Sequence, residues 1–308
     1  MPRRPLIWFK GQHVYPEDAL IPVLSPTAQF GLNVFEGIRG YASDSGQVFL
    51  FRLEDHLRRL EQSCRLIGIK SPYSKSQIRG SILSILQDNK MHNDLALRVT
   101  LFVDGNGSWS SSDPVDMFIA PIYKDRKTIT KSSTRTSCIS TWRRIDDNIL
   151  PPRTKAGANY ISGRYAHLEA ESNHVDLPIL LNSSGKVAEG AGACLMMIRD
   201  SVLVTPPKTA SILESITRDT ILTLAIQNGV SVQERDIDRT ELYLADEVFL
   251  CGSAAEITPL SLIDRFTIGD GMAGPITKVL SSLYFSAADG TTVQYRDWLT
   301  PVWKENQK

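Results

Sequence analysis

Apolar residues recur along the first third of the chain with two different periods. Residues 6–9 and 12–15 are short strand-like runs joined at Lys10-Gly11, and 35–41 and 47–51 predict a second hairpin around Ser43-Asp-Ser-Gly46. The period then turns helical: Leu53, Leu57, Leu60, Cys64 and Ile67 share one face until Gly68 stops the run. A second helix is predicted near 76–89, followed by strands at 95–103 and 116–122. Residues 124–134 are polar and almost free of large apolar groups, which marks a linker. The expected organisation is a small N-terminal α/β domain over 1–123, an interdomain loop over 124–135 and a large C-terminal domain over 136–308.

The second part mixes short strands with helices. A helix at 161–171 precedes strands at 177–181 and 186–189, which flank the turn Asn182-Ser-Ser-Gly185. Strands at 193–199 and 202–205 flank Asp200-Ser201, and a helix at 217–227 stops at Asn228-Gly229. Strands at 230–235, 248–251 and 257–262 lead to a last helix from Pro275. Hairpins outnumber βαβ units, so the fold class is α+β, with mixed or antiparallel sheets and helices packed outside.

Composition narrows the function classes. Lys+Arg and Asp+Glu both number 34 in 308 residues, so no net field draws nucleic acid or an anionic membrane. No apolar run reaches signal-peptide or membrane-spanning length, which points to a cytoplasmic protein. Cys64, Cys138, Cys194 and Cys251 are scattered without a CxxC pair, which argues against a zinc site and a disulfide framework. The stretch Gly269-Asp-Gly-Met-Ala-Gly274 matches a dinucleotide fingerprint, but no βαβ unit surrounds it and too little chain follows; it reads as a turn.

Candidate chemistry lies elsewhere. Lys155 sits in Pro152-Arg-Thr-Lys-Ala-Gly-Ala-Asn-Tyr160. A lysine so flanked is ordinarily a solvated loop residue. Here small neighbours leave its stem uncrowded, and a helix start nearby disfavours its protonated form. A neutral amine can attack an aldehyde. Glu189 precedes Gly-Ala-Gly192, which lets a flat ring approach closely. A carboxylate there could hold a pyridine nitrogen protonated; it could equally be a turn acid. Arg59 lies on a helix stripe with Arg52 and His56, either a wet face or a phosphate contact. Ser215-Ile-Thr217 opens a helix and is either a plain N-cap or an anion site. Together these residues suit pyridoxal phosphate.

At this point the chain resembles the class IV pyridoxal-phosphate aminotransferases of the branched-chain type, which have the two-domain type IV fold. The resemblance covers nearly the whole length, from Ile7-Trp-Phe9 and Val34-Phe-Glu-Gly-Ile-Arg39 through Lys155–Tyr160, Ala188-Glu-Gly-Ala-Gly192, Ile216-Thr-Arg-Asp219, Leu242-Tyr-Leu-Ala-Asp-Glu-Val248 and Ala254-Ala-Glu-Ile-Thr-Pro259 to Gly274-Pro-Ile-Thr-Lys278. It implies that Lys155 joins the cofactor aldehyde, Glu189 faces the ring nitrogen and Tyr160 contacts the phenolic oxygen. Arg59, Ile216, Thr217 and Ser253 would hold the phosphate, and Leu213 would pack on the ring. Phe35, Gly37, Ala96, Arg98, Ser253 and Ala254 would line the substrate side. It further implies a cofactor cleft between two domains, and a homodimer whose partner chain completes the pocket. The implied reaction is ping-pong transfer of an amino group from an L-amino acid to a 2-oxo acid such as 2-oxoglutarate.

The sequence departs from the family pattern at Ala96 and Phe30, where tyrosines are usual, and at Ala193-Cys194, where Glu-Asn is usual. Loss of an aromatic wall at Ala96 enlarges the pocket toward bulkier donors, and 104–109 could supply a new wall. Transamination of D-amino acids or (R)-amines, a lyase activity, and a non-catalytic cofactor-binding protein stay open at this point.

Overall fold

The computed structural model describes residues 5–130 and 133–304. The basic start at Arg3-Arg4, and Lys131 and Ser132 of the expected interdomain loop, lie outside the described residues. In chain order the strands and helices are β1 (Ile7–Phe9), β2 (Gln12–Val14), α1 (Pro26–Phe30), β3 (Asn33–Ala42), β4 (Val48–Phe51), α2 (Leu53–Leu66), α3 (Lys75–Asp88), β5 (Leu95–Val103), β6 (Val115–Tyr123) and β7 (Arg135–Arg143). There follow α4 (Tyr160–Ser172), β8 (Leu177–Leu181), β9 (Val187–Gly190), β10 (Cys194–Arg199), β11 (Val202–Thr205), α5 (Ile216–Gln227), β12 (Val232–Glu234), β13 (Glu247–Gly252), β14 (Glu256–Ile263), β15 (Phe266–Thr267), α6 (Pro275–Ala288) and β16 (Leu299–Pro301).

The chain divides into two units. The first comprises Met1–Arg126, Thr154–Ala158 and Ser286–Lys308; the second comprises Lys127–Arg153 and Asn159–Phe285. This differs from a single cut in the polar loop. The C-terminal residues belong to the first unit because β16 pairs with β4, and Val302 is buried in that unit's core. Thr154–Ala158 joins it because Ala156 bridges Val34 and the Lys155 carbonyl accepts the Phe35 N–H at 2.9 Å. Both are pairings distant in sequence, which periodicity cannot register.

The first unit is built on a seven-stranded antiparallel sheet, ordered β16-β4-β3-β5-β6-β1-β2. Val34 and Ile38 of β3 and Leu97 and Val99 of β5 share a buried cluster with Leu57 and Leu60 of α2 and Ile82 and Leu86 of α3. Truncating one such leucine to alanine costs about 2–5 kcal/mol. Helix α3 starts earlier than the apolar period suggests, because Ser74 forms a capping box with Gln77 and satisfies the first-turn amides.

The second unit holds a nine-stranded mixed sheet in which β10-β13-β14-β7-β8-β9 closes on itself through the β9–β10 pairing. Closure removes sheet edges. Strand β7 is parallel to both β14 and β8. It was not expected from the sequence, because Arg135-Thr-Ser-Cys-Ile-Ser-Thr-Trp-Arg143 lacks an apolar face. Its four consecutive buried residues, Ser137–Ser140, mix polar and apolar groups, with Ser137 Oγ donating to the Leu262 carbonyl at 2.9 Å, Ser140 to Glu169, and Ile139 packed in the core. Helices and mixed sheets together make the α+β class expected. The Gly269–Gly274 stretch is a turn, with Gly269 and Gly271 at positive φ, directly before α6.

Candidate active site

The expected site residues fall into two groups, one in each unit. In the first, alternation along β3 sends Val34 and Ile38 to the core and Phe35, Gly37 and Arg39 to the opposite face. Their partners on β5 are Thr100, Arg98 and Ala96, one to one. The Arg98 guanidinium carbon lies 4.1 Å from the Phe35 ring centroid, and Lys155 Nζ lies 4.8 Å from the same centroid. A Cβ at Gly37 would meet nothing within 4 Å, so open space stands over the strand beside Arg98. Lys155 is half-buried. Its amide donates to Ser63 Oγ at 3.1 Å, and its carbonyl is held by Phe35. A Cβ at Gly157 would fall 2.7 Å from Asn33 Oδ1, so a side chain there would displace the Asn33 amide. The lysine backbone is therefore pinned by β3 on one side and α2 on the other.

The wet-face reading of the α2 stripe fails for His56 and Arg59, which are 2% and 8% exposed. The reason is Glu36, fully buried on the core side of β3. Its Oε1 accepts Arg59 Nε at 2.7 Å, and its Oε2 accepts Arg59 Nη2 at 2.8 Å and His56 Nδ1 at 2.7 Å. Burial alone would raise the Glu36 pKa, but Arg59 and His56 reverse that and hold it well below the carboxylate range. An ionised carboxylate accepts only, so the His56 proton sits on Nδ1. Burial pulls His56 below its ordinary 6.5 against the pull of Glu36, with the charges of Arg59 and Lys155 adding to the lowering.

In the second unit Glu189 lies on β9 at the seam that closes the barrel, directly opposite Cys194 of β10, which in turn faces Cys251 of β13. Glu189 is 4% exposed. Its Oε1 lies 2.7 Å from Arg144 Nε, an ion pair in which that N–H makes no aligned hydrogen bond. Its Oε2 accepts the Leu213 amide at 3.2 Å and the Cys194 thiol at 3.7 Å. Leu213 thus meets the acid two residues before Ser215, whose Oγ caps α5 by accepting the Arg218 amide at 3.2 Å. Ile216 and Thr217 open α5, and the amides of those first positions have no carbonyl within the helix. Both the cap and the anion-site readings of Ser215–Thr217 are therefore compatible with the backbone. The Tyr160 ring lies by Gly192, its Cε1 3.8 Å from where a Cβ would stand. Gly163 of α4 packs so closely on the 190–193 turn that a Cβ would fall 2.6 Å from the Ala191 carbonyl oxygen.

Ser253 and Ala254 occupy the turn between β13 and β14, half-buried and exposed respectively. The turn is shaped by Glu256, buried at φ 51°, whose carboxylate accepts the Lys127 amide at 2.7 Å. A non-glycine residue in that region costs about 1–2 kcal/mol, so neighbouring contacts impose the conformation. Ala96 pairs with Arg39 on the same face of β5 as Arg98, and Trp109 is 72% exposed.

The structure therefore gathers Lys155, Phe35, Gly37 and Arg98 in one unit and Glu189, Leu213, Tyr160 and the α5 start in the other. Sequence reasoning assigned no part to Glu36, Arg144 or Ser63. For Glu36 a signal was available: an acid at the centre of Val34-Phe-Glu-Gly-Ile38, where alternation calls for an apolar residue. Arg144 and Ser63 carry no local signal, since both act on residues far along the chain. The donor set suits a phosphorylated pyridine aldehyde: an amine beside an aromatic face, an ion-paired carboxylate, an arginine and helix-start amides. Among the described residues no cluster of metal-binding side chains occurs, and no helix is long and apolar enough to cross a membrane.

Residues 33–263 match the model of the amino-transferase class IV family. A branched-chain-amino-acid aminotransferase of Salmonella typhimurium is 36% identical over 303 residues, covering 96% of this chain and 97% of its own. Among solved structures, the Thermobaculum terrenum branched-chain amino acid aminotransferase in its PLP holo form superposes with a TM-score of 0.90 at 39% identity, covering 99% of this chain and 100% of that one. The T.th. branched-chain amino acid aminotransferase complexed with N-(5'-phosphopyridoxyl)-L-glutamate gives a TM-score of 0.92 at 32% identity, covering 98% and 100%.

Proposed function

The chain belongs to the class IV aminotransferase family, and from that premise we propose that it transfers amino groups from branched-chain L-amino acids to a 2-oxo acid such as 2-oxoglutarate. Its cofactor is pyridoxal 5'-phosphate. The observation that carries the reading is Lys155, pinned through its own backbone with its amine 4.8 Å from the Phe35 ring centroid.

When bound, the cofactor supplies an aldehyde for amine exchange and a protonated ring that accepts electrons from the donor's Cα. In this proposal Lys155 Nζ would hold the cofactor through its aldehyde carbon and, once displaced by the donor amine, would carry the donor Cα proton to that same carbon. Glu189, ion-paired with Arg144, would face the ring nitrogen and hold its proton in place. Tyr160 donates to the phenolic oxygen, and Leu213 packs on the ring. Arg59, the Ile216 and Thr217 amides and Ser253 take the phosphate. Arg98 binds the distal carboxylate of a dicarboxylic acceptor, and the Ser253-Ala254 turn offers amides to the α-carboxylate. Ala96 and Gly37 leave room for donor side chains larger than those of valine or leucine.

The proposal extends to a cytoplasmic homodimer. All four cysteines are buried and none forms a disulfide, as suits a reducing compartment. Leu20, Val23, Leu24 and Trp109 are 57–82% exposed, and the Leu24 carbonyl accepts the Gly107 amide, so these apolar groups lie on adjoining segments. Such a patch is expected to be covered by a second copy.

Purified protein is tested for colour and for turnover of L- and D-donors with 2-oxoglutarate. Colour lost on Lys155→Ala, with activity on L-donors only, supports the assignment. A colourless wild type that takes up no added pyridoxal phosphate overturns it. A clear preference for valine, isoleucine and leucine over every bulkier donor would remove the enlarged pocket alone.

A further inference from the structure

Glu36 is a carboxylate placed where the β3 pattern calls for an apolar side chain. It faces α2 between the core residues Val34 and Ile38 and is wholly buried. A buried ion pair contributes little stability relative to packed apolar groups, so fold stability alone does not account for it. What it does provide is direction. The Glu36 carboxylate engages Arg59 side-on through Nε and Nη2, a fork that fixes the plane of the guanidinium. His56, on the same face of α2 three residues earlier, donates to Glu36 Oε2 and removes the carboxylate's remaining freedom. Ser63, four residues after Arg59, holds the Lys155 amide. One helix face thus carries the Glu36 partners and a support of the lysine, while one strand supplies Glu36 and, through Phe35, the other support of the lysine.

We propose that Glu36 and His56 are positioning residues for the cofactor phosphate: they orient Arg59 so that its Nη1–Nη2 edge meets the phosphate in register with Lys155. The inference rests on the reading that Arg59 takes the phosphate. A flexible arginine would pay conformational entropy at each binding event, and the fork removes that loss in advance. A guanidinium without it could still neutralise charge but would not be held to one orientation.

The test compares pyridoxal phosphate with pyridoxal, which has the same aldehyde and ring but no phosphate. Resolved holoenzyme is titrated with each, and the ratio of the two dissociation constants is read for wild type, Glu36→Gln, His56→Asn and Arg59→Met. A positioning role predicts that Glu36→Gln lowers the preference for the phosphorylated form about tenfold or more while pyridoxal affinity holds. It predicts a smaller loss in the same direction for His56→Asn, and no further loss when Glu36→Gln is added to Arg59→Met. If Arg59→Met lowers the preference and neither Glu36→Gln nor His56→Asn does, the positioning role is overturned. If Arg59→Met itself leaves the preference unchanged, the phosphate reading beneath it is overturned. If Glu36→Gln does not fold, the His56→Asn ratio decides.

Discussion

Arg98 lies over the Phe35 ring with its guanidinium carbon 4.1 Å from the centroid, and Lys155 Nζ lies 4.8 Å from the same point. One aromatic ring on β3 therefore supports both the cation proposed to carry acceptor specificity and the proposed catalytic amine. Each cation–π contact contributes about 0.5–2 kcal/mol according to solvation. Phe35→Leu keeps bulk and removes the ring face. The expected result is a rise in KM for a dicarboxylic acceptor of about two- to tenfold, with a smaller change for an uncharged 2-oxo acid. Steady-state kinetics with the two acceptors check this; equal changes for both would show that the ring does not act through Arg98.

The Arg144–Glu189 pair sets a second expectation. A cation 2.7 Å from the carboxylate disfavours its protonation. Arg144→Gln removes that charge, so with Glu189 facing the ring nitrogen as proposed, the proton they would share is expected to shift toward the acid. Single-turnover rates with an amino donor are expected to fall about tenfold or more. Arg144→Lys is expected to recover most of the loss, because charge rather than shape is the agent. A fall in Tm with an unchanged single-turnover rate would reduce Arg144 to a structural partner.

Gly163 tests whether the 190–193 turn is held by helix packing. Its missing Cβ leaves room for the Ala191 carbonyl oxygen, which would otherwise stand 2.6 Å away. Neither the helix backbone nor the turn can yield cheaply, since overpacking of this kind costs about 1–3 kcal/mol. Gly163→Ala is expected to lower Tm and to weaken cofactor retention, because Glu189 and Cys194 flank the displaced turn. Thermal melts with and without added pyridoxal phosphate separate the two effects. A helix-favouring substitution that instead raises Tm would show that the turn moves freely.

Much of this was legible in the sequence where the signal is local. Helix α2 follows its leucine spacing to within a residue, and β5 alternates over Leu95–Val99. Lys155, Glu189 and Ser215–Thr217 could be singled out because small residues or caps surround them. What stayed hidden is pairing across distance. Strand β7 buries Ser137 and Ser140, whose partners Leu262 and Glu169 lie on other elements, beside Cys138 and Ile139, so it shows no hydrophobic period. The return of β16 to β4 depends on chain closure over most of the length of the sequence. Glu36 stood inside a motif that was recognised, yet its partners lie 20 and 23 residues on, and only the fold brings them to it.

Acid stability draws on that same cluster, and the sign can be worked out. His56 has a folded pKa below its ordinary 6.5, because burial opposes its charge. As pH falls through 6.5 the unfolded chain takes up a proton that the folded chain refuses, so stability declines from there downward. Glu36 is likewise held below its ordinary 4.5 by Arg59 and His56. Its contribution is complete above 4.5 and is lost as pH falls from that value toward its folded pKa. The Tm is therefore expected to decline in two stages, beginning near pH 6.5 and steepening below 4.5. His56→Asn removes a group that takes up its proton at lower pH in the folded chain than in the unfolded one, so the upper stage should flatten while the lower one remains. Melts at intervals from pH 8 to about 4, in buffers of constant ionic strength, check this. A His56→Asn profile parallel to that of the wild type throughout would mean that His56 titrates alike in both states, and that burial against Glu36 does not keep it neutral.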